Sequence, residues 1–218
     1  MSKSLIAIVG AGPGVSAGIA RRFGSEGFQV VLLARRLDSV KSEAVKLKAQ
    51  GIEAHAIVAD AASRDSLAEA FAQVESEFGA PDVMVYNAGA NSISEPSALS
   101  AEDMLNDFTI NVAGALNSAQ LVIPAMTVRG SGCILFTGGM LALRPVASRA
   151  SAAISKAGLR NLAFTLADEL APAGITVGTV TIGGVVKPGT FFDPDLIAEQ
   201  YWNLFSGKDQ KEIVYQES

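Results

Sequence analysis

The 218-residue sequence has one cysteine, one histidine and one tryptophan, and each scarcity excludes something. A lone thiol, Cys133, forms no internal disulfide, and with a single imidazole a structural zinc site lacks ligands. No apolar run reaches the ~18 residues of a membrane span. The first apolar stretch, Leu5 to Val9, is too short for the apolar part of a secretory signal and runs straight into glycine. Positive charge is also scarce: 17 basic residues stand against 22 acids, a net charge of −5 with no block of like charge. Nucleic acid and membrane surfaces therefore find no basic footprint here. Charged residues make up only 18% of the chain and hydrophobic ones 49%, which excludes a disordered protein and predicts a sizeable core. The expectation is a cytoplasmic, metal-free globular protein.

What is present is a rhythm. Short apolar runs recur at Leu5–Val9, Phe28–Ala34, Ala54–Ala59, Val83–Tyr86, Cys133–Thr137 and Ile175–Ile182. Between them, apolar residues fall at helical spacing, as in Leu37, Val40, Ala44 and Leu47, or Leu67, Phe71, Val74 and Phe78. A third set, Leu159, Leu162, Ala163, Leu166 and Leu170, lines one face of another helix. Strands apolar throughout suit burial on both faces. The alternation predicts an α/β fold, a doubly wound parallel sheet of Rossmann type in three αβα layers. With no repeat or linker, residues 1–218 read as one domain. Residues 183–218 break the rhythm and read as a substrate loop and C-terminal segment: a loop at Gly183–Pro194, a short helix at Asp195–Leu204, a last strand at Glu212–Tyr215.

Ligands of such sheets lie beyond the carboxyl ends of the strands. The first strand ends there in Gly10-Ala11-Gly12-Pro13-Gly14-Val15-Ser16. Glycines let backbone amides approach a diphosphate, and the following helix turns its positive end to the anion. The bare pattern is weak: Gly12-x-Gly14-x-x-Ala17 fits G-x-G-x-x-G/A but starts late. The order of strand, turn and helix adds the weight, against the alternative of a tight turn without a ligand. At the end of the second strand, where an acid would hold the ribose of NAD, stand Arg35 and Arg36. Arginine pairs a 2′-phosphate, so NADP(H) is expected over NAD(H); the rival reading leaves both arginines merely solvated. Asp60 is placed to meet adenine or to cap the next helix. His55 lies inside a strand and Cys133 starts one, so both read as structural.

Together these segments resemble the short-chain dehydrogenase/reductase family over nearly all of residues 4–190. Gly10-x-x-x-Gly14-x-Ser16 is similar to its Gly-x-x-x-Gly-x-Gly turn. Asn87-Ala88-Gly89 resembles the end of its Asn-Asn-Ala-Gly motif, with Tyr86 in the first position. Asn111 falls in the long fourth helix, where the family keeps an asparagine of its proton relay, and Lys156 matches the lysine of Tyr-x-x-x-Lys. Val185 corresponds to an apolar residue near the carboxamide. The resemblance implies hydride transfer between a nicotinamide and a carbonyl or alcohol, and helices Asn111–Val128 and Ala150–Leu170 packing in a homodimer or homotetramer. It also implies a departure, since Ala152 occupies the tyrosine position and Gly139 the serine position. Ser148, Ser151, Ser155, Tyr201, Tyr215 and Lys156 itself are the candidate substitute acids. Met140, Leu141, Ile93, Leu143, Phe191 and Phe192 suit an apolar small-molecule substrate, a closing lid or a subunit interface, and Arg144 and Arg149 either meet an anionic substrate or are solvated. Three readings remain: an NADP(H)-dependent oxidoreductase with a non-standard proton donor, a nucleotide-binding sensor or partner subunit without catalysis, or a cofactor-free structural or interaction domain.

Overall fold

Alternation of side chains along the first strand sets the layers. In β1 (Leu5–Val9), Leu5, Ala7 and Val9 face one apolar cluster while Ile6 and Ile8 face another, and all five are buried. Burying a side chain such as Ile8 contributes roughly 1.5–3 kcal/mol, so a strand apolar on both faces needs a helical layer on each. The computed structural model describes residues 3–207 and 210–217. Residues 1, 2, 208, 209 and 218 of the expected span lie outside the described residues.

The remaining strands are β2 (Gln29–Ala34), β3 (Ala54–Val58), β4 (Val83–Tyr86), β5 (Gly132–Gly139), β6 (Ile175–Ile182) and β7 (Glu212–Tyr215). All pair in parallel, in the order β3-β2-β1-β4-β5-β6-β7. Helices α1 (Val15–Ser25), α2 (Leu37–Ala49) and α7 (Pro194–Gly207) cover one face. Helices α3 (Arg64–Phe78), α5 (Gly114–Arg129) and α6 (Ala150–Leu170) cover the other, and α4 (Ala101–Phe108) precedes α5. This is the three-layer doubly wound sheet expected from the apolar rhythm. The chain runs outward from β1 to β3 and then returns to the opposite side of β1, so the strand order reverses between β1 and β4. Such a reversal opens a crevice at the carboxyl ends of those two strands. Among the described residues no helix is long and apolar enough to cross a membrane, and no group of three acids, histidines or cysteines is placed to hold a metal ion.

Charge fixes the sheet edge beneath α6. Arg160 donates from Nε and Nη2 to both Glu212 carboxylate oxygens at 2.6–3.0 Å, and Thr181 Oγ1 donates to Glu212 Oε1 at 2.6 Å. Burial pushes the Glu212 carboxyl up, but the bonds from Arg160 and Thr181 and the Arg160 charge outweigh it and hold it below the usual range. A carboxyl lowered in the folded state contributes stability above its unfolded pKa and loses it as the pH falls through the folded one. Glu212→Gln is expected to cost about 1.5–3 kcal/mol at neutral pH, the range for hydrogen bonds to charged groups. Its stability should converge with that of the parent as the pH drops below about 4. Urea melts across pH measure this; an equal gap at every pH contradicts it.

Candidate functional site

The strand reversal brings together two segments far apart in sequence. Gly10 ends β1 with φ +82°, and a Cβ there would stand 2.2 Å from Ala88 N and 2.7 Å from Asn87 C. Only glycine allows the turn after β1 to touch the turn after β4. Asn87 Nδ2 donates to Gly10 O at 3.2 Å, tying them. Gly12 and Gly14, by contrast, face open space, with no protein atom within 4 Å of a Cβ built on either. Gly14 caps α1 without a side-chain hydrogen bond, and the first turn of that helix holds no acid. The amino end of α1 thus presents bare N–H groups and positive potential. Ser16, in the place of the family's last glycine, is buried: its Oγ accepts from Gly12 N at 2.8 Å and donates to Gly12 O at 3.1 Å. Val15 is buried beside it, so both shape the turn from behind.

Around this turn lies a cavity of about 600 Å³, walled by Gly10–Pro13, Ala34–Arg36, Ser39, Asp60 and Asn87–Ala90. Arg35 and Arg36 are exposed on it and have no acidic partner among the described residues. Of the two roles open to Asp60, capping falls elsewhere: Ser63 caps α3, accepting from Ser66 N at 3.2 Å. Asp60 Oδ1 accepts from Ala62 N at 3.0 Å and keeps its place on the wall. The open glycine cradle, with the two exposed arginines beside it, fits a dinucleotide.

A second cavity, about 620 Å³, shares Gly89 and Ala90 with the first. Lys156, Asn111, Gly139 and Ala152 all border it, with Met140, Leu141, Arg144 and Ile182. Lys156 Nζ donates to Thr137 O at 2.6 Å, and burial lowers its pKa to about 8. Asn111 sits in a π-helical turn, Thr109–Ala113, rather than in regular helix. Its Oδ1 accepts from Ala90 N at 2.7 Å and its Nδ2 donates to Ala90 O at 2.8 Å, so the side-chain amide clamps the shared wall. Tyr86, buried under that wall, donates its hydroxyl to Ile110 O; burial, then the Asp60 charge, pushes its phenol well up.

Not every expected residue arrives. Val185 is 84% exposed and borders neither cavity; Val186 turns inward instead, and Ile182, Gly183 and Gly184 form the wall after β6. Tyr201 is wholly buried and donates to Thr137 Oγ1 at 2.7 Å, and burial pushes its phenol far up. Tyr215 donates to Phe191 O at 2.8 Å and stacks on that ring, while Phe192 packs against both. Ser151 donates to the buried Asp107 at 2.6 Å, and Ser155 Oγ is buried without a partner among the described residues. Of the candidate substitute acids, only Lys156 borders the second cavity. Sequence reasoning missed two supports. One is the chain from Tyr201 through Thr137 to Asn87 Oδ1, the last link 2.8 Å. The other is Asp107, which also accepts from Ser92 N at 2.6 Å and ties that loop to α6. A threonine ending an apolar strand was the available signal for the first.

The short chain dehydrogenase family model matches residues 4–191. A curated relative, the 3-oxoacyl-acyl-carrier-protein reductase FabG of Staphylococcus epidermidis, is 32% identical over 191 residues, covering 87% of this chain and 78% of its own. A metagenomic short-chain oxidoreductase solved in complex with NADP superposes with a TM-score of 0.90 at 26% identity, over 100% of this chain and 99% of that one. An alcohol dehydrogenase from Thermococcus sibiricus, complexed with 5-hydroxy-NADP, gives 0.87 at 26% identity over 100% and 99%. With the sheet order, the crevice and these matches in agreement, the chain belongs to the short chain dehydrogenase family, oxidoreductases that bind a nicotinamide cofactor.

Proposed function

We propose that the protein is an NADP(H)-dependent oxidoreductase acting on a carbonyl or alcohol, with a proton donor other than the tyrosine of its family. One observation carries the reading: two cavities join at Gly89 and Ala90, with unpaired arginines on the outer one and Lys156 on the inner one. In this assignment the amino end of α1 with Gly10, Gly12 and Gly14 receives the diphosphate, Val15 and Ser16 holding the turn in shape. Arg35 receives the 2′-phosphate, Asp60 borders the adenine, and Asn87, Ala88 and Gly89 line the passage between the cavities. A bound nicotinamide dinucleotide supplies the hydride donor or acceptor. Asn111 holds the Ala90 wall, and Val185 is left without a part.

Ala152 and Gly139 stand at the tyrosine and serine positions and offer no transferable proton, which leaves Lys156 Nζ. Below about pH 8 that amine is mainly protonated. One N–H goes to Thr137 O, and others remain for a substrate oxygen. The substrate is a small molecule with an apolar body, and the apolar helices α5 and α6 support a homodimer or homotetramer.

Nicotinamide fluorescence titrations test the cofactor assignment. Arg35→Ala is expected to raise the NADPH Kd about 10–100-fold, the worth of one charge-assisted contact, and the NADH Kd by less than about threefold. Equal losses for both nucleotides overturn the 2′-phosphate role. Rates of NADPH oxidation over a carbonyl panel then test turnover. Tight NADPH binding with no turnover across the panel decides for the nucleotide-binding protein without catalysis.

A further inference from the structure

The arginines divide by what they touch. Arg21, Arg22, Arg129 and Arg160 each reach a carboxylate at 2.5–3.5 Å and serve the framework. Arg35, Arg36, Arg64, Arg144 and Arg149 have no acidic partner among the described residues, and of these Arg35 and Arg36 border the outer cavity and Arg144 the inner one. A chain with 22 acids places none of them on the described wall of the inner cavity. Two cations, Arg144 and Lys156, stand there among glycines and apolar side chains. Guanidinium groups left unpaired in a site of mixed apolar surface are suited to planar oxyanions, which they bind in a bidentate fork.

The anchor of Arg144 is fixed although its head group is free. Its backbone N donates to Met140 O at 2.8 Å, and Leu143 N donates to the same oxygen at 2.9 Å. Both bonds close the turn that follows β5 at Gly139. The backbone of Arg144 is therefore held in a closed turn, and its side chain lines the inner cavity along with Ala152 and Lys156.

Taking the inner cavity as the substrate site of the proposed function, we infer that its substrate is an anionic carbonyl or alcohol compound, an apolar body bearing a carboxylate held by Arg144. Arg144 is then the specificity-determining residue, and Lys156 is left for the reacting oxygen.

Calorimetric titration of benzoate, phenylacetate, phenylglyoxylate and hexanoate, each against its primary amide, tests this with and without NADP+. The protein is expected to bind acids at least about tenfold more tightly than their amides. Arg144→Gln should abolish that preference while changing amide binding less than about twofold, and Arg144→Lys should keep part of it. Acids and amides bound alike across the set, or not at all, overturn the inference. A preference that survives Arg144→Gln but vanishes in Lys156→Met also overturns it, by moving the anion to the lysine. Acid preference in a protein that fails to bind NADPH retires the reductase reading and leaves the anion site standing.

Discussion

Gly139→Ser combined with Ala152→Tyr is expected to raise the carbonyl reductase rate of the NADPH-saturated protein by about 10²–10⁴-fold, the contribution of one positioned general acid. The backbone has room for the serine: a Cβ on Gly139 would meet Lys156 Cε at 3.5 Å and Cδ at 3.6 Å, ordinary van der Waals contact. Residue 152 lies four positions before Lys156 on α6, so a phenol there shares the face of the lysine. A neighbouring ammonium lowers a phenol's pKa and readies it to exchange a proton. The serine hydroxyl adds a donor to the substrate oxygen, typically worth about 10²–10³-fold alone. The two gains should not multiply, because groups acting on one oxygen behave as a unit. Initial rates of NADPH oxidation for the double variant and both single variants read the outcome. A folded double variant that binds NADPH and gains nothing shows that the cavity does not present a substrate carbonyl to this wall.

The sheet was legible because its strands are apolar throughout and its helices are not. Val83–Tyr86 and Ile175–Ile182 are strands over the runs read from sequence, and the last strand at Glu212–Tyr215 stood out even in the irregular tail. The joining of the Gly10 and Asn87 turns depends on β1 and β4 being neighbours, which alternation alone leaves open and the sheet order shows. Contacts made by single polar atoms were not legible. Nothing in the sequence ties Tyr201 to Thr137, because one element of the pair is an amphipathic helix whose inward face is set only by packing on α1 and β6. Asn111 was read into regular helix because no residue type marks a single π turn within a longer helix. Val185 was misplaced for a similar reason, since in an aperiodic loop adjacent valines alternate faces without a register to say which is inward. Phe191 and Phe192 read as cavity lining and instead pack on Tyr215, a contact created by β7 joining the sheet.

Two glycines four residues apart are expected to fail in different ways, and the contrast bears on the assignment beneath every other. Gly10→Ala places a methyl carbon within 2.2–2.7 Å of the Asn87–Ala88 backbone at a φ of +82°. The left-handed conformation costs about 1–2 kcal/mol, and the forced separation of the turns about 1–3 kcal/mol more. Gly10→Ala should therefore lose stability and, with the turn displaced, more than about tenfold in NADPH affinity. Gly14→Ala, at the second glycine of the family turn, meets no atom within 4 Å beyond its own chain neighbours, so its melting temperature should stay near that of the parent. On the proposed assignment its methyl group instead enters the space of the diphosphate, and its NADPH Kd should rise at least about tenfold, the equivalent of 1.4 kcal/mol. Thermal melts without nucleotide and fluorescence titration with NADPH separate the two effects. Undiminished NADPH affinity in Gly14→Ala contradicts a diphosphate resting on this turn. Loss of affinity at unchanged stability is what an open cradle, empty of protein contacts and facing the bare amino end of α1, demands.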